Sequence, residues 1–140
     1  MHLPDINLWL ALIFEVHAHH RIAKAWFDDS TPDSCAFCRL TQQGFLRLAT
    51  NPAVFKEEAV STDVAWKLYD MLLKDGRVYF LPEPEGLEQA WREYTKNRGY
   101  SHRVWNDAYL AAFARTYKLE IATFDQGFRE YQTAKVTVIS

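Results

Sequence analysis

Three aspartates draw attention by where the sequence pattern puts them, not by any contiguous motif. Asp5 follows the short apolar run that opens the chain, and Asp125 follows the apolar run Leu119 to Phe124. Asp107 shares a helical stripe with Leu110, Ala111 and Ala114, at offsets of three, four and seven. A carboxylate on an inward-facing stripe costs free energy unless a hydrogen-bond partner or a cation meets it. Three that converge repel one another, and a hard divalent cation removes that repulsion. An oxygen-only donor set without histidine or thiolate suits Mg²⁺ or Mn²⁺, and Mg²⁺ keeps several waters, which leaves room for a substrate phosphate and a nucleophilic water. The chemistry implied is phosphodiester hydrolysis: a water acidified by the cation loses its proton to Asp125 or a neighbouring carboxylate, and the hydroxide attacks phosphorus in line. Each aspartate also has a local structural use. Asp5 can cap a following helix, Asp107 can favour a helix N-terminus and Asp125 can open a turn. Their joint placement is what points to a site.

The elements that must position these groups follow from periodicity. Leu3 to Ile6 reads as a strand passing directly into a helix that carries Leu8, Leu12 and Ile13. A second helix is expected over His19 to Asp28, a short strand over Cys35 to Cys38, and a helix from Leu40 to Thr50 that Asn51-Pro52 terminates, with a loop beyond. Ala65, Leu68, Tyr69, Leu72 and Leu73 mark the clearest amphipathic helix, Ser61 to Asp75, with Ser61 as N-cap and Gly76 as its stop. Val78 to Leu81 is a strand, Leu87 to Lys96 a helix ending near Gly99, Val104 to Tyr117 a helix, and Leu119 to Phe124 and Val136 to Ile139 the last strands. Such alternation predicts an α/β/α sandwich on a central, mostly parallel sheet of about five strands, formed by residues 1–140 as one domain. In open parallel sheets ligands bind at the carboxyl ends of the strands, which brings Asp5 and Asp125 to one edge.

Composition narrows the classes. Apolar residues make up 49 % and charged residues 24 %, too apolar for a disordered chain, and the net charge of -2 provides no global basic field, so any RNA-binding surface must be local. Asp5 and Asn7 interrupt the apolar N-terminus, which lacks a basic leader and is too short to cross a bilayer, so neither export nor a membrane anchor is expected. The two cysteines fit a reducing compartment, the cytoplasm. His17, His19 and His20 with Cys35 and Cys38 invite a zinc reading, but strand residues three apart face opposite sides and cannot share an ion. The five tryptophans, at 9, 26, 66, 91 and 105, are packing residues first. A subset could stack on RNA, form a homodimer contact or receive a partner helix.

Four strings carry a resemblance. Pro-Asp-Ile-Asn-Leu-Trp-Leu-Ala-Leu at 4 to 12, Thr-Gln-Gln-Gly-Phe-Leu-Arg-Leu at 41 to 48 with Thr50-Asn51-Pro52, Asn-Asp-Ala-Tyr-Leu-Ala-Ala at 106 to 112, and Thr-Phe-Asp-Gln-Gly-Phe at 123 to 128 resemble, in order and spacing, the PIN-domain ribonuclease toxins of the VapC type. The resemblance spans essentially the whole chain. It implies a Mg²⁺- or Mn²⁺-dependent endoribonuclease acting as the toxin of a type II toxin-antitoxin system, an RNA substrate, a cognate VapB-like antitoxin and a homodimer. It further implies Asp5, Asp107 and Asp125 as the catalytic and metal-site acids, with Asn7 and Thr123 orienting them. Many such nucleases carry a glutamate on the helix after the second strand, and the matching position here is read as Gln42, beside Gln43. Arg39, Arg47, Arg103 and Arg129 are expected near the same edge, available for phosphate. Two other readings stand beside this one: a catalytically weak PIN-like module that binds RNA or a protein without turnover, and a receiver-like domain whose aspartate accepts a phosphoryl group, which Asp107 on a helical stripe fits poorly.

Overall fold

A computed structural model describes residues 1–140. Its five strands, β1 (His2–Pro4), β2 (Cys35–Phe37), β3 (Val78–Phe80), β4 (Glu120–Thr123) and β5 (Lys135–Val138), pair in parallel in the order β3-β2-β1-β4-β5. Pro4 pairs with Ala122 and His2 with Cys35, so the strands end together at one edge. The chain adds β2 and β3 on one side of β1 and then returns to add β4 on the other. The switch in strand order therefore falls between β1 and β4, where a crevice opens in doubly wound sheets.

Seven helices cover the sheet: α1 (Ile6–Ile13), α2 (His20–Asp28), α3 (Arg39–Ala49), α4 (Pro52–Phe55), α5 (Thr62–Lys74), α6 (Leu87–Thr95) and α7 (Val104–Tyr117). Strand alternation sorts the core into layers. Ala36 packs with Leu3, Ile121 and the inner faces of α6 and α7, whereas its neighbours Cys35 and Phe37 pack with α1, α3 and α5. Trp9 of α1 stacks on Phe37 at 4.0 Å between ring centroids, tying the second layer to the sheet. On α7, Ala108, Ala111, Ala112 and Ala114 are fully buried, and these small side chains let the helix lie close to the sheet.

The expected α/β/α sandwich with a five-stranded sheet is present, and the sheet is entirely parallel. Three local expectations need correction. Asn51-Pro52 does not lead into a loop: the Asn51 carboxamide accepts from the Ala53 N–H at 2.9 Å and Pro52 takes the first helical position, so the pair that ends α3 also starts α4, which runs on into a 3-10 turn over Lys56–Glu58. Gly76 is not the stop of α5. That helix ends at Asp75 in extended backbone, where the carboxylate accepts from the Arg77 backbone N–H at 3.0 Å and from the Arg77 guanidinium at 2.7 Å and turns the chain into β3. α6 likewise ends at Lys96 in extended backbone, short of Gly99.

Candidate active site

The sequence after β1 and the sequence after β4 build one half of the site each. Asp5 leaves β1 with its N–H donating to the Ala122 carbonyl at 3.0 Å, and its side chain caps α1 by accepting from the Leu8 N–H at 3.0 Å. Its second carboxylate oxygen accepts from the hydroxyl of Thr123, the last residue of β4. That hydroxyl in turn accepts from the Asp125 N–H at 3.0 Å. Thr123 is fully buried and joins the two acidic segments across adjacent strands. Asp125 also accepts from the Gly127 N–H at 2.8 Å, opening a 3-10 turn over Gln126–Glu130, and a Cβ at position 127 would lie 3.0 Å from its carboxylate oxygen. Asp107 enters from the first turn of α7 and has no hydrogen-bond partner among protein groups.

These side chains meet at a cavity of about 230 Å³, which Asp5, Asp107 and Asp125 line together with Asn7, Asn106 and Leu110. No lysine, arginine or histidine lines it. Burial leads in raising the Asp5 carboxyl above the usual carboxylate range, against the hydrogen bonds from Thr123 and Leu8. Asp107 is pushed up to about 6, first by desolvation and then by the charges of Asp125, Asp5 and Glu130. An all-oxygen, uncompensated acidic pocket is the environment a hard divalent cation stabilises. As the side chains stand, no group of three or more His, Cys, Asp or Glu is placed to hold a metal ion; the three aspartates line the cavity without closing on one point.

Of the flanking residues, Thr123 holds Asp5 as expected. Asn7 is exposed, gives Asp5 only a backbone hydrogen bond and turns to the cavity wall. Gln42 is not at the cavity. It is buried elsewhere on α3, where its carboxamide oxygen accepts from Arg39. Leu40 and Leu48 of α3 line the acidic pocket, and Gly44 falls midway between them on the same stripe. A Cβ on Gly44 would come within 2.1 Å of the Ile6 Cδ1. α3 thus presents Leu40 and Leu48 to the cavity, with Ile6 packed against Gly44 between them.

None of Arg39, Arg47, Arg103 and Arg129 lines the acidic cavity. Arg39 lies over the Phe80 ring at 5.0 Å, and Arg47 borders a separate hollow with Trp66. Nor do the tryptophans reach the pocket: Trp9 is core, and Trp91 donates its indole N–H to the Trp105 carbonyl at 3.0 Å. Cys35 and Cys38 are buried in different core layers, as the strand argument requires.

The PIN domain profile matches residues 3–133. The chain belongs to the PIN domain family. Among curated relatives, this PIN domain is 42 % identical to ribonuclease VapC41 of Mycobacterium tuberculosis over 136 residues, covering 94 % of this chain and 93 % of that protein. It is 32 % identical to ribonuclease VapC38 of Mycobacterium tuberculosis, covering 91 % and 86 % of the two chains. Its fold superposes on Mycobacterium tuberculosis VapC20, described as a toxin that cleaves the sarcin-ricin loop, with a TM-score of 0.71 at 19 % identity over 94 % of this chain and 95 % of that one. It also superposes on VapBC2 of Rickettsia felis bound to a promoter DNA fragment, with a TM-score of 0.70 at 10 % identity over 99 % and 98 % of the chains. At those identities the structural matches establish the fold. No helix of this PIN domain is long and apolar enough to cross a membrane.

Proposed function

We propose that this PIN domain, residues 1–140 acting as one unit, is a Mg²⁺- or Mn²⁺-dependent endoribonuclease and the toxin of a type II toxin-antitoxin pair, with Asp5, Asp107 and Asp125 as its catalytic and metal-holding acids. The observation that carries the reading is the pocket at the strand-order switch, where three carboxylates meet without a cationic side chain, in a chain related over nearly its full length to a protein named a ribonuclease. When bound, Mg²⁺ or Mn²⁺ supplies positive charge at the scissile phosphate and acidifies the attacking water. Asp5, held on both oxygens by Leu8 and Thr123, provides a ligand of set orientation. Asp125, tied to Gly127, provides a second. Asp107, free of protein hydrogen bonds, is the group able to take the proton of the attacking water. The relatives' names and the toxin-antitoxin complexes among the structural matches support a cognate VapB-like antitoxin as partner; a homodimer in the cytoplasm belongs to the proposal on the family resemblance alone.

Gly44 and Ile6 favour a second reading, a PIN module that binds without turnover, because α3 contributes no acid to the pocket. One experiment separates the two: incubation of end-labelled cellular RNA with purified protein in Mg²⁺, Mn²⁺ or EDTA, beside Asp5→Asn. The nuclease reading expects cutting that needs the metal and vanishes in the variant. Equal inertness of both proteins across a broad RNA panel, with no detectable metal binding, would hand the site to the binding module.

A further inference from the structure

The segment His17-Ala18-His19, between α1 and α2, and His20, which opens α2, contribute nothing to the hydrolytic chemistry above, yet His17 and His19 line a hollow shared with Asp5 and Asp125. The loop is held at three points. The His17 N–H donates to the Phe14 carbonyl at 3.0 Å, the His20 N–H to the His17 carbonyl at 3.0 Å, and the His20 Nδ1–H to the Ala11 carbonyl at 2.8 Å. His20 is thus spent on bracing α1 against α2. His17 and His19 face Phe124, the residue between Thr123 and Asp125. The His19 ring stacks on Phe124 at 4.6 Å between centroids with 28° between planes, and His17 lies 6.5 Å from the same ring at 27°.

The stack stands beside the acids. A hollow of about 300 Å³ is lined by His17, His19 and Phe124 together with Asp5, Asn7 and Asp125. Asp5, Asn7 and Asp125 also line the central acidic cavity, so the two spaces share these three residues. The His19 N–H donates to His17 Nδ1 at 3.0 Å, which leaves the His17 ring proton on Nε2 in its neutral form. Burial, with His19 and His20 nearby, also holds the His17 pKa below the ordinary histidine range. His19 itself is exposed, and its backbone is hydrogen-bonded while its ring caps nothing, so the ring's orientation is set by the stack on Phe124. A planar, sequence-tolerant stack at the edge of a phosphate-cleaving centre is how proteins hold unpaired bases, since every base has a π face.

We propose that His17, His19 and Phe124 form a stacking shelf for one unpaired nucleobase of the RNA, next to the phosphate held at Asp5 and Asp125. The shelf rests on the ribonuclease reading for the identity of its ligand. It selects single-stranded over duplex RNA, because a paired base must first give up its pairing and stacking to reach the ring.

The test uses the full chain carrying Asp107→Asn, so that RNA is not consumed, and follows binding of a labelled mixed-sequence single-stranded RNA 12-mer by fluorescence anisotropy in Mg²⁺. His19→Ala should weaken binding about tenfold, and His19→Phe should stay within about twofold of the parent, because the ring face and not its nitrogens carries the interaction. Replacing successive nucleotides by abasic ones should reproduce the loss at one position in the parent and produce none there in His19→Ala. Unchanged binding by His19→Ala, or a His19→Phe as weak as the alanine variant, overturns the shelf. Cleavage by the unsubstituted chain is scored in parallel. If the shelf variants lose affinity but the unsubstituted chain never cuts RNA, the ribonuclease reading falls and the shelf stands. If cutting is robust and binding is indifferent to position 19, the shelf alone falls.

Discussion

Thr123 does more for the site than its neutral side chain suggests. Its hydroxyl donates to Asp5 and accepts from the Asp125 N–H, so one buried oxygen aligns two acidic segments. Thr123→Val keeps the shape but strands a buried carboxylate oxygen and a backbone N–H. Unfolding in urea should show a loss of about 1–3 kcal/mol, and RNA cleavage should fall by roughly 10- to 100-fold. Thr123→Ser should retain most of both. The aspartates themselves were legible in the sequence because strand ends and a helical stripe place them without any knowledge of packing. Each also serves the local role a bland reading assigns, Asp5 as a helix cap and Asp125 as a turn opener. What sequence could not reveal was which α3 residue faces them. That depends on the rotation of α3 against α1, which Ile6 sets through a contact between residues far apart in the chain.

At the scale of elements, the contact of α1 with α3 is the one most sensitive to a single atom. Gly44→Ala gains roughly 1 kcal/mol of helix propensity, but the added methyl meets Ile6 at 2.1 Å from a position that cannot yield without moving α1 or the Ile6 rotamer. Overpacking should prevail, with a net destabilisation of about 1–2 kcal/mol by urea unfolding. Ile6→Ala should rescue it, leaving a positive coupling between the two changes in a double-mutant cycle. A rescue that fails would place the strain elsewhere. α7 provides a change of opposite sign. It ends at Lys118 in left-handed backbone, φ 61° and ψ 40°, a conformation glycine adopts without penalty. Lys118→Gly should stabilise the chain by about 0.5–1 kcal/mol. The α4 turn is not legible from Asn-Pro alone, because the same dipeptide both stops one helix and, as an N-cap followed by proline at the first helical position, starts another. The long helices α5 and α7 were legible from spacing alone.

Over the whole molecule the net charge is only -2, so the acidic pocket is a local field on a nearly neutral body, and its influence on stability depends on what neutralises it. Asp107 sits near 6 in the folded chain against 3.8 for an ordinary aspartate. The folded state therefore binds this proton more tightly than the unfolded state, and the associated stability is fully present below about pH 4 and is lost as pH rises through about 6. Asp5, also raised, acts in the same direction. Asp75 opposes them: the Arg77 hydrogen bond holds it at about 2, and what it contributes is lost as pH falls from about 4 towards 2. In EDTA the melting temperature should accordingly decline between about pH 4 and 6, the interval between the ordinary and the raised value of Asp107. Asp107→Asn should abolish most of that decline and raise stability at pH 7 by about 1 kcal/mol, once solvent screening of this half-buried group is allowed for. Mg²⁺ should produce the same recovery in the unsubstituted chain by replacing the lost protons with a cation, with a larger rise in melting temperature at pH 7.5 than at pH 5. Differential scanning calorimetry at both pH values, with and without Mg²⁺, measures this directly. A Mg²⁺ effect of equal size at both would mean that the ion binds away from these carboxylates, because only the titrating pocket makes protons and cations competitors.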